Sequence, residues 1–376
     1  MTQRLGLIVN PLAGIGGRVG LKGSDGVAIQ QKALALGGIS EAQDRAAKAL
    51  QALVPFKDKV KLFTPPGEMG ELAAWHAGFE PVVLGSIAPG ATTAQDTQRS
   101  AQDMQRLGMD LLLFAGGDGT ARDIYNAVGT SLPTLGIPAG VKMHSPVFAI
   151  HPSSAGWLAV EFLFGPTAHL QEAEVIDLDE EAYRLGVVAT RLYGTLIIPY
   201  HRLMVQNQKV PTPASQSVQA EAIAAAVIEE MRPGFLTILG PGTTTRAVAQ
   251  RLGFPKTLVG VDVITRQEVV ALDVGEARIL ELIGQKPALI VVTITGGQGF
   301  LFGRGNQPIS PQVLRLVGKE NLIVISPSEK LNALQGQPLL VDTGDTQVDQ
   351  MLSGYLPVLT GYRERVYYRV AAQVEL

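Results

Sequence analysis

The segment "LLLFAGGDGTARDI", Leu111 to Ile124, sets a carboxylate, Asp118, among glycines at the end of an apolar run. Glycine lets a chain turn sharply and lets a bulky ligand touch the backbone. Thr120 is placed to cap the helix that follows, and the free N–H groups at such a helix start attract phosphate. Gly116, Gly117, Gly119 and Thr120 therefore suit a phosphate, and the acid has a separate task. Asp118 can orient Mg²⁺ against phosphates, or accept a proton from a hydroxyl attacking a terminal phosphoryl group. A tight strand-to-helix turn closed by an Asx-type bond is the structural alternative. Asp123 fits a capping box with Thr120 as well as it fits a second catalytic acid. Arg122 reads as a solvated side chain before a phosphate clamp.

Other glycine-rich stretches compete for the same ligand. In "NPLAGIGGRVG", Gly14 and Gly16 are followed by Gly20, which misses the dinucleotide spacing of dehydrogenases. No acidic residue ends the second strand to hold a ribose, so a hydride-transfer enzyme is a poor fit. This loop, with Asn10, either serves a turn or opens backbone N–H groups to an anion. "GPGTTTRAVA" brings threonines, Thr244 among them, and Arg246 to a helix start, facing an anionic ligand or forming a turn. "TGGQGFLFGRGNQPISP" crowds Gly296, Gly297, Gly299, Gly303 and Gly305 around Gln298, Arg304 and Asn306. Arg304 suits a phosphate there and Asn306 a ribose or base.

Metal ligation has weaker support. Asp177 and Asp179 in "EVIDLDEEAY" share a strand face, as a metal pair or as a solvated hairpin edge. Asp342 and Asp345 in "VDTGD" are candidates for contact with a ligand or Mg²⁺. His144 has no partner at metal-ligand spacing and reads as a hydrogen-bonding residue at most one step from the site; His151, His169 and His201 are isolated.

The elements that must carry these residues follow from periodicity. "RLGLIVN", "KVKLF", "PVVLG", "DLLLFA" and "PTLGI" are apolar strands separated by helical stretches, among them "TAQDTQRSAQDMQRLG" and a helix opened by Ser40 and Gln43 as a capping box. Fully apolar strands alternating with helices imply an α/β fold with a Rossmann-like parallel sheet covered on both faces. Ligands in such sheets bind beyond the carboxyl ends of the strands, where the opening segment lies. After residue 150 the pattern turns to hairpins, a helix in "ASQSVQAEAIAAAVIEEMRPG" and apolar strands such as "NLIVIS" and "PLLVDTG". We expect a first domain over 1–150 and a second, mixed and β-rich, over 151–376, with the C-terminal segment a candidate to return to the first.

Composition excludes several classes. The 376 residues carry a net charge of −3 with no basic tract, so nucleic acid lacks an electrostatic footprint. With Cys 0, disulfides and thiolate metal sites are excluded. Hydrophobic residues make up 46% and charged residues 17%, a globular balance, and no apolar run is long enough to span a membrane. A soluble cytoplasmic protein is the expectation.

"GGDGT" (Gly116 to Thr120) together with "IVNPLAG" (Ile8 to Gly14) resembles the superfamily of NAD kinases and diacylglycerol kinases. Most of the chain is similar to the ATP- or polyphosphate-dependent NAD kinase group that includes the X protein of acetoin-catabolism operons, on "GIPAGVKMHSPVFAI", "GPGTTTRAVA", "GGQGFLFGRGNQPISP" and "LLVDTGD". The resemblance implies a nucleotide-binding first domain, a β-rich second domain, an active site in the cleft between them and a homo-oligomer. It implies that Asp118 activates the acceptor hydroxyl, the 2′-OH of NAD, with a divalent cation such as Mg²⁺ and with ATP or polyphosphate as donor. Asn10, Gly14, Gly116, Gly117, Gly119, Thr120 and Lys142 would then bind the nucleotide, and Thr244, Gln298, Arg304 and Asn306 the acceptor. The lipid kinases carry PxGTxND where this chain reads "PAGVKMHS", Pro138 to Ser145, which argues against a lipid acceptor. Lys142 is the replacement there, a phosphate neutraliser or a surface lysine. Two alternatives remain open: a kinase of another small hydroxyl metabolite, and a non-catalytic nucleotide-binding sensor.

Overall fold

Apolar runs with no polar face form strands only where helices cover both sides, and the first part of the chain meets that condition. Strands β1 (Gln3–Val9), β2 (Val60–Thr64), β3 (Val82–Val83), β4 (Leu111–Gly116) and β5 (Thr134–Pro138) make a parallel sheet in the order β3-β2-β1-β4-β5. Every residue of β4 and β5 is buried. The helices Ala42–Leu50 and Pro152–Phe164 pack together, as do Ala94–Arg106 and Asp118–Val128. The computed structural model describes residues 2–21, 23, 26–88, 90–166, 169–178, 190–201, 204–206, 216–295 and 298–372.

The chain forms two compact units, Met1–Ile15 with Ser40–Gln208, and Gly16–Ile39 with Lys209–Leu376. The division therefore falls later than the expected boundary at residue 150. The antiparallel pair β6 (Leu170–Leu178) and β7 (Thr190–Pro199) packs on β5 and on the Asp118–Val128 helix, which keeps it in the first unit. Residues 16–39 join the second unit instead, where the Glu276 N–H donates to the Arg18 carbonyl at 2.9 Å.

Among the described residues the second unit holds β8 (Leu236–Leu239), β9 (Asp262–Ile264), β10 (Val269–Ala271), β11 (Ala288–Thr293), β12 (Phe300–Phe302), β13 (Leu322–Ile325), β14 (Leu339–Val341), β15 (Gly354–Gly361) and β16 (Glu364–Ala371). They form one mixed sheet in the order β10-β9-β8-β11-β13-β15-β16-β14-β12. Side chains alternate between its faces: Ile238, Ile290, Val324 and Val358 enter one core, and Leu239, Val291, Ile325 and Leu359 the other. The C-terminal strands β15 and β16 pair with each other inside this sheet, so the C-terminal segment does not return to the first unit. Among the described residues no helix is long and apolar enough to cross a membrane.

The helix expected to start at Ser40 behaves differently. Glu41 occupies the cap position of Ala42–Leu50, and no capping box forms. Ser40 Oγ donates to the Ala13 carbonyl at 2.8 Å, and Gln43 Nε2 donates to the Glu68 carbonyl. Ser40 Oγ also accepts the Ala42 N–H at 3.3 Å, so it joins the helix start to the Ala13 loop, while Gln43 reaches away to the Glu68 loop.

Candidate active site

In the order β3-β2-β1-β4-β5 the chain reverses its direction of winding between β1 and β4, and the region beyond the carboxyl ends of those strands is where such sheets take their ligands. Asn10 follows the last residue of β1, and Gly117-Asp118 follows the last residue of β4. The two segments that sequence analysis singled out first are thus brought to one place. Loop contacts hold them there. The Asn10 N–H donates to the Ala115 carbonyl at 2.9 Å, and Asn10 Nδ2 donates to Thr120 Oγ1 at 3.0 Å. Asn10 Oδ1 accepts the Leu12 N–H at 3.1 Å. With both ends of its side chain engaged, Asn10 joins the loops.

Glycine is required here by proximity. A Cβ on Gly14, which sits at φ 75°, would fall 2.3 Å from the Ala139 carbonyl oxygen. The Gly117 and Gly140 backbones lie against each other, so that a Cβ on Gly140 would fall 2.7 Å from the Gly117 Cα. The loops after β1, β4 and β5 therefore form one packed rim.

The helix begins earlier than expected. Gly117 is its cap residue, with no side-chain cap bond, and Asp118 opens the first turn. Thr120 is already inside the helix and buried, so it accepts from Asn10 instead of capping. Asp123 is consequently no part of a capping box; its Oδ1 accepts from Gln98 Nε2 at 3.1 Å.

Asp118 is only 5% exposed, and its carboxylate turns toward the loop after β5. Oδ2 accepts the His144 N–H at 2.7 Å, and Oδ1 accepts the Ser145 N–H at 3.0 Å. The His144 ring follows, with Nδ1 3.2 Å from Oδ2. Ser145 pins this loop on its other side: its hydroxyl donates to the Ile176 carbonyl at 2.7 Å and accepts the Ile176 N–H at 2.9 Å, where β6 shifts register against β7. His144 is thus in direct contact with the central carboxylate, closer than its sequence suggested. Ser145 was not expected at all; the only sequence signal was its place in "PAGVKMHS" after a strand end.

The neighbouring charges are largely matched within the protein. Arg122 Nη1 lies 3.0 Å from Asp177 Oδ2, and its guanidinium stacks over Tyr193 at 5.4 Å. Burial works against the Arg122 charge, but Asp177, Tyr193 and Asp123 together outweigh it and hold the guanidinium above its ordinary value. Asp177 is therefore an ion-pair partner of Arg122; Asp179, its companion in the candidate metal pair, lies outside the described residues. Lys142 is half-buried in the loop after β5.

In the second unit, Thr244 is buried in the first turn of the Thr243–Arg251 helix, where Lys330 Nζ donates to its hydroxyl at 3.5 Å. Gln298 is buried on the loop before β12; Gly296 and Gly297 lie outside the described residues. Arg304 pairs with Asp342 at 2.8 Å, both nearly out of solvent, with the guanidinium 4.6 Å over the Phe300 ring. Asn306 Nδ2 donates to the Leu301 carbonyl at 2.8 Å, and its Oδ1 accepts the Gly303 N–H at 3.0 Å. Asp342 matches the Arg304 charge, and Asn306 locks a turn, so both act first on the fold of their own loop. Asp345 caps the Thr346–Leu352 helix through the N–H groups of Gln347 and Val348.

Among the described residues no group of three or more His, Asp or Glu side chains comes together to hold a metal. Asp118 has both oxygens committed to backbone N–H groups, and Asp177 and Asp342 face guanidinium groups. A protein cage for a divalent ion does not fit these residues.

The family model described as the ATP-NAD kinase N-terminal domain matches residues 5–163, and that of the ATP-NAD kinase C-terminal domain matches residues 234–370. Crystal structures of proteins assigned as diacylglycerol kinases from Bacillus anthracis str. Sterne are similar over 47% of this chain and 46% of theirs, at 15% and 16% identity with TM-scores of 0.26 and 0.25. The chain thus spans about half the length of those solved structures. No curated protein matches it at a significant level.

Proposed function

The chain belongs to the ATP-NAD kinase family; from that premise we propose that it is an ATP-dependent kinase that transfers the terminal phosphoryl group of ATP, or of polyphosphate, to the 2′-hydroxyl of NAD, giving NADP. One observation carries the reading: Asp118 is buried at the first turn of a helix, beyond the carboxyl ends of β1 and β4, where a doubly wound sheet takes its ligands. Free N–H groups at that helix start suit the donor phosphates, and Lys142 adds a cation on the adjoining loop. Acceptor activation depends on Asp118. In this reading a divalent ion such as Mg²⁺ comes with the donor, its oxygens supplying most of the coordination, as is usual for Mg²⁺ with nucleotides.

The test is direct. The protein is incubated with ATP, MgCl₂ and NAD, and NADP is measured with an NADP-specific dehydrogenase; a parallel reaction uses polyphosphate. NADP above the protein-free control supports the proposal, and its absence with both donors overturns it.

A different acceptor is a second reading with its own support. The internal engagement of Arg304 and Asn306 removes two of the groups proposed to hold NAD. A screen of small alcohols with labelled ATP separates the readings, since only this one expects label on a compound other than NAD.

A further inference from the structure

We infer that the proton of the attacking hydroxyl is taken by the His144 imidazole, at Nε2, and that Asp118 orients that ring and balances the charge it gains; the inference rests on the phosphoryl-transfer reading above. Three contacts already occupy the Asp118 oxygens. Oδ2 faces the His144 N–H at 2.7 Å and the ring Nδ1 at 3.2 Å, and Oδ1 faces the Ser145 N–H at 3.0 Å. Oδ2 is thus already occupied by two groups of His144, and the carboxylate as a whole is only 5% exposed, which leaves Oδ1 with a single spare acceptor site. Turning the carboxylate away from either backbone N–H would leave a buried donor without an acceptor, which is unfavourable.

The same contacts fix the tautomer of the ring. An ionised carboxylate only accepts hydrogen bonds, so Nδ1 carries the hydrogen and donates it to Oδ2. A neutral imidazole then holds its lone pair on Nε2. Among the described residues no hydrogen bond to that nitrogen is formed, and the backbone of the ring's own residue is clamped by Asp118 and, one residue on, by Ser145. A base oriented by a buried carboxylate through its other nitrogen is a general arrangement for activating a hydroxyl.

The step balances without a co-reactant beyond donor and acceptor. The hydroxyl oxygen forms a bond to the terminal phosphorus as the bond from that phosphorus to the bridging oxygen of the donor breaks. The bonding pair leaves with the shortened donor. The hydroxyl proton passes to Nε2, the imidazolium is paired with Asp118, and the proton is released to solvent afterwards.

The variants His144→Gln and His144→Gly test it, each confirmed as folded by circular dichroism. We expect His144→Gln to lower kcat by about 10²–10⁴-fold with little change in KM for ATP. Added imidazole is expected to restore turnover to His144→Gly, which a residue that merely supports the loop would not permit. His144→Gln combined with Asp118→Asn is expected to lose little beyond the worse single variant. A ¹⁵N spectrum of the wild-type ring should show the hydrogen on Nδ1. Wild-type turnover in His144→Gln, or a folded His144→Gly that imidazole does not help, overturns the inference and leaves the kinase reading intact. A wild-type protein that transfers phosphate to no acceptor overturns both.

Discussion

A side chain on Gly140 would begin 2.7 Å from the Cα of Gly117, so the loops that follow β4 and β5 touch through bare backbone. Neither atom in that contact is the end of a flexible side chain, and relief requires the loops to separate. Gly140→Ala should therefore destabilise the protein by about 1–3 kcal/mol, the usual cost of overpacking. Because the same loop carries His144 and Ser145, turnover should fall as well. Gly117→Ala, whose Cβ would stand 3.2 Å from the Gly140 Cα, should show the milder effect. Urea denaturation and initial rates on both variants check the ranking.

Asp118→Asn should lower turnover by about 10²–10⁴-fold, whether the acid takes the proton itself or acts through His144. Its amide nitrogen would face one of two backbone N–H donors, which adds a destabilisation of about 1–3 kcal/mol. Rates per folded molecule and a thermal melt separate the two effects. Full activity in this variant would reduce Asp118 to a turn residue.

Some of this was legible in the sequence and some was not, for definite reasons. Strands β1, β2, β4 and β5 appear as apolar runs because a sheet covered on both faces admits few other residues. Asp118 stands out as a candidate because a charge among glycines after such a run has few structural uses, and the structure places it at the start of a helix after β4. Thr120 was misread as a cap because Gly117 allows the helix to open before it. His144 and Ser145 meet Asp118 across sequence separations of 26 and 27 residues, and no local pattern reports such a meeting. The glycines crowded around Arg304 point to a ligand-facing loop and a phosphate; its partner Asp342 comes from a distant stretch that only the pairing of β14 brings near.

Lys256 and Asp262 form the most enclosed ion pair described, at 2.9 Å with side-chain exposures of 1% and 0%. The lysine also donates to the Thr257 and Gly260 carbonyls, and the aspartate accepts from Thr257 and from the Asp273 N–H. Lys256→Met should cost about 3–5 kcal/mol, because it strands a buried carboxylate. Equilibrium denaturation gives the number; a change below about 1 kcal/mol would mean that water reaches the pair.

Arg304→Met offers a sharper test of role. If the guanidinium serves Asp342, stability should drop by about 3–5 kcal/mol while calorimetric affinity for NAD in the folded variant stays as in the wild type. Lost NAD affinity at unchanged stability would return Arg304 to an acceptor phosphate.

Asp96 supplies a pH-dependent term. The Thr93 hydroxyl, donating to its carboxylate at 2.8 Å, holds the acid below its ordinary value of 3.8; burial opposes this, and the Thr93 N–H and Arg99 assist. A carboxyl group lowered on folding stabilises the protein above that ordinary value, and the contribution disappears as pH falls through the folded one. Wild type should exceed Asp96→Asn in stability at neutral pH, and the gap should close below pH 3.8. Urea midpoints across an acid series would reveal it.

Residues 16–39 belong to the unit whose remainder starts at Lys209. During translation this stretch leaves the ribosome early, while Glu276, whose N–H will meet the Arg18 carbonyl, has yet to be made. The nascent chain must assemble β1, β2, β4 and β5 with that excursion undocked, and a fragment beginning at Lys209 would lack an integral part of its own body. Co-translational folding of this protein is therefore obliged to run out of chain order.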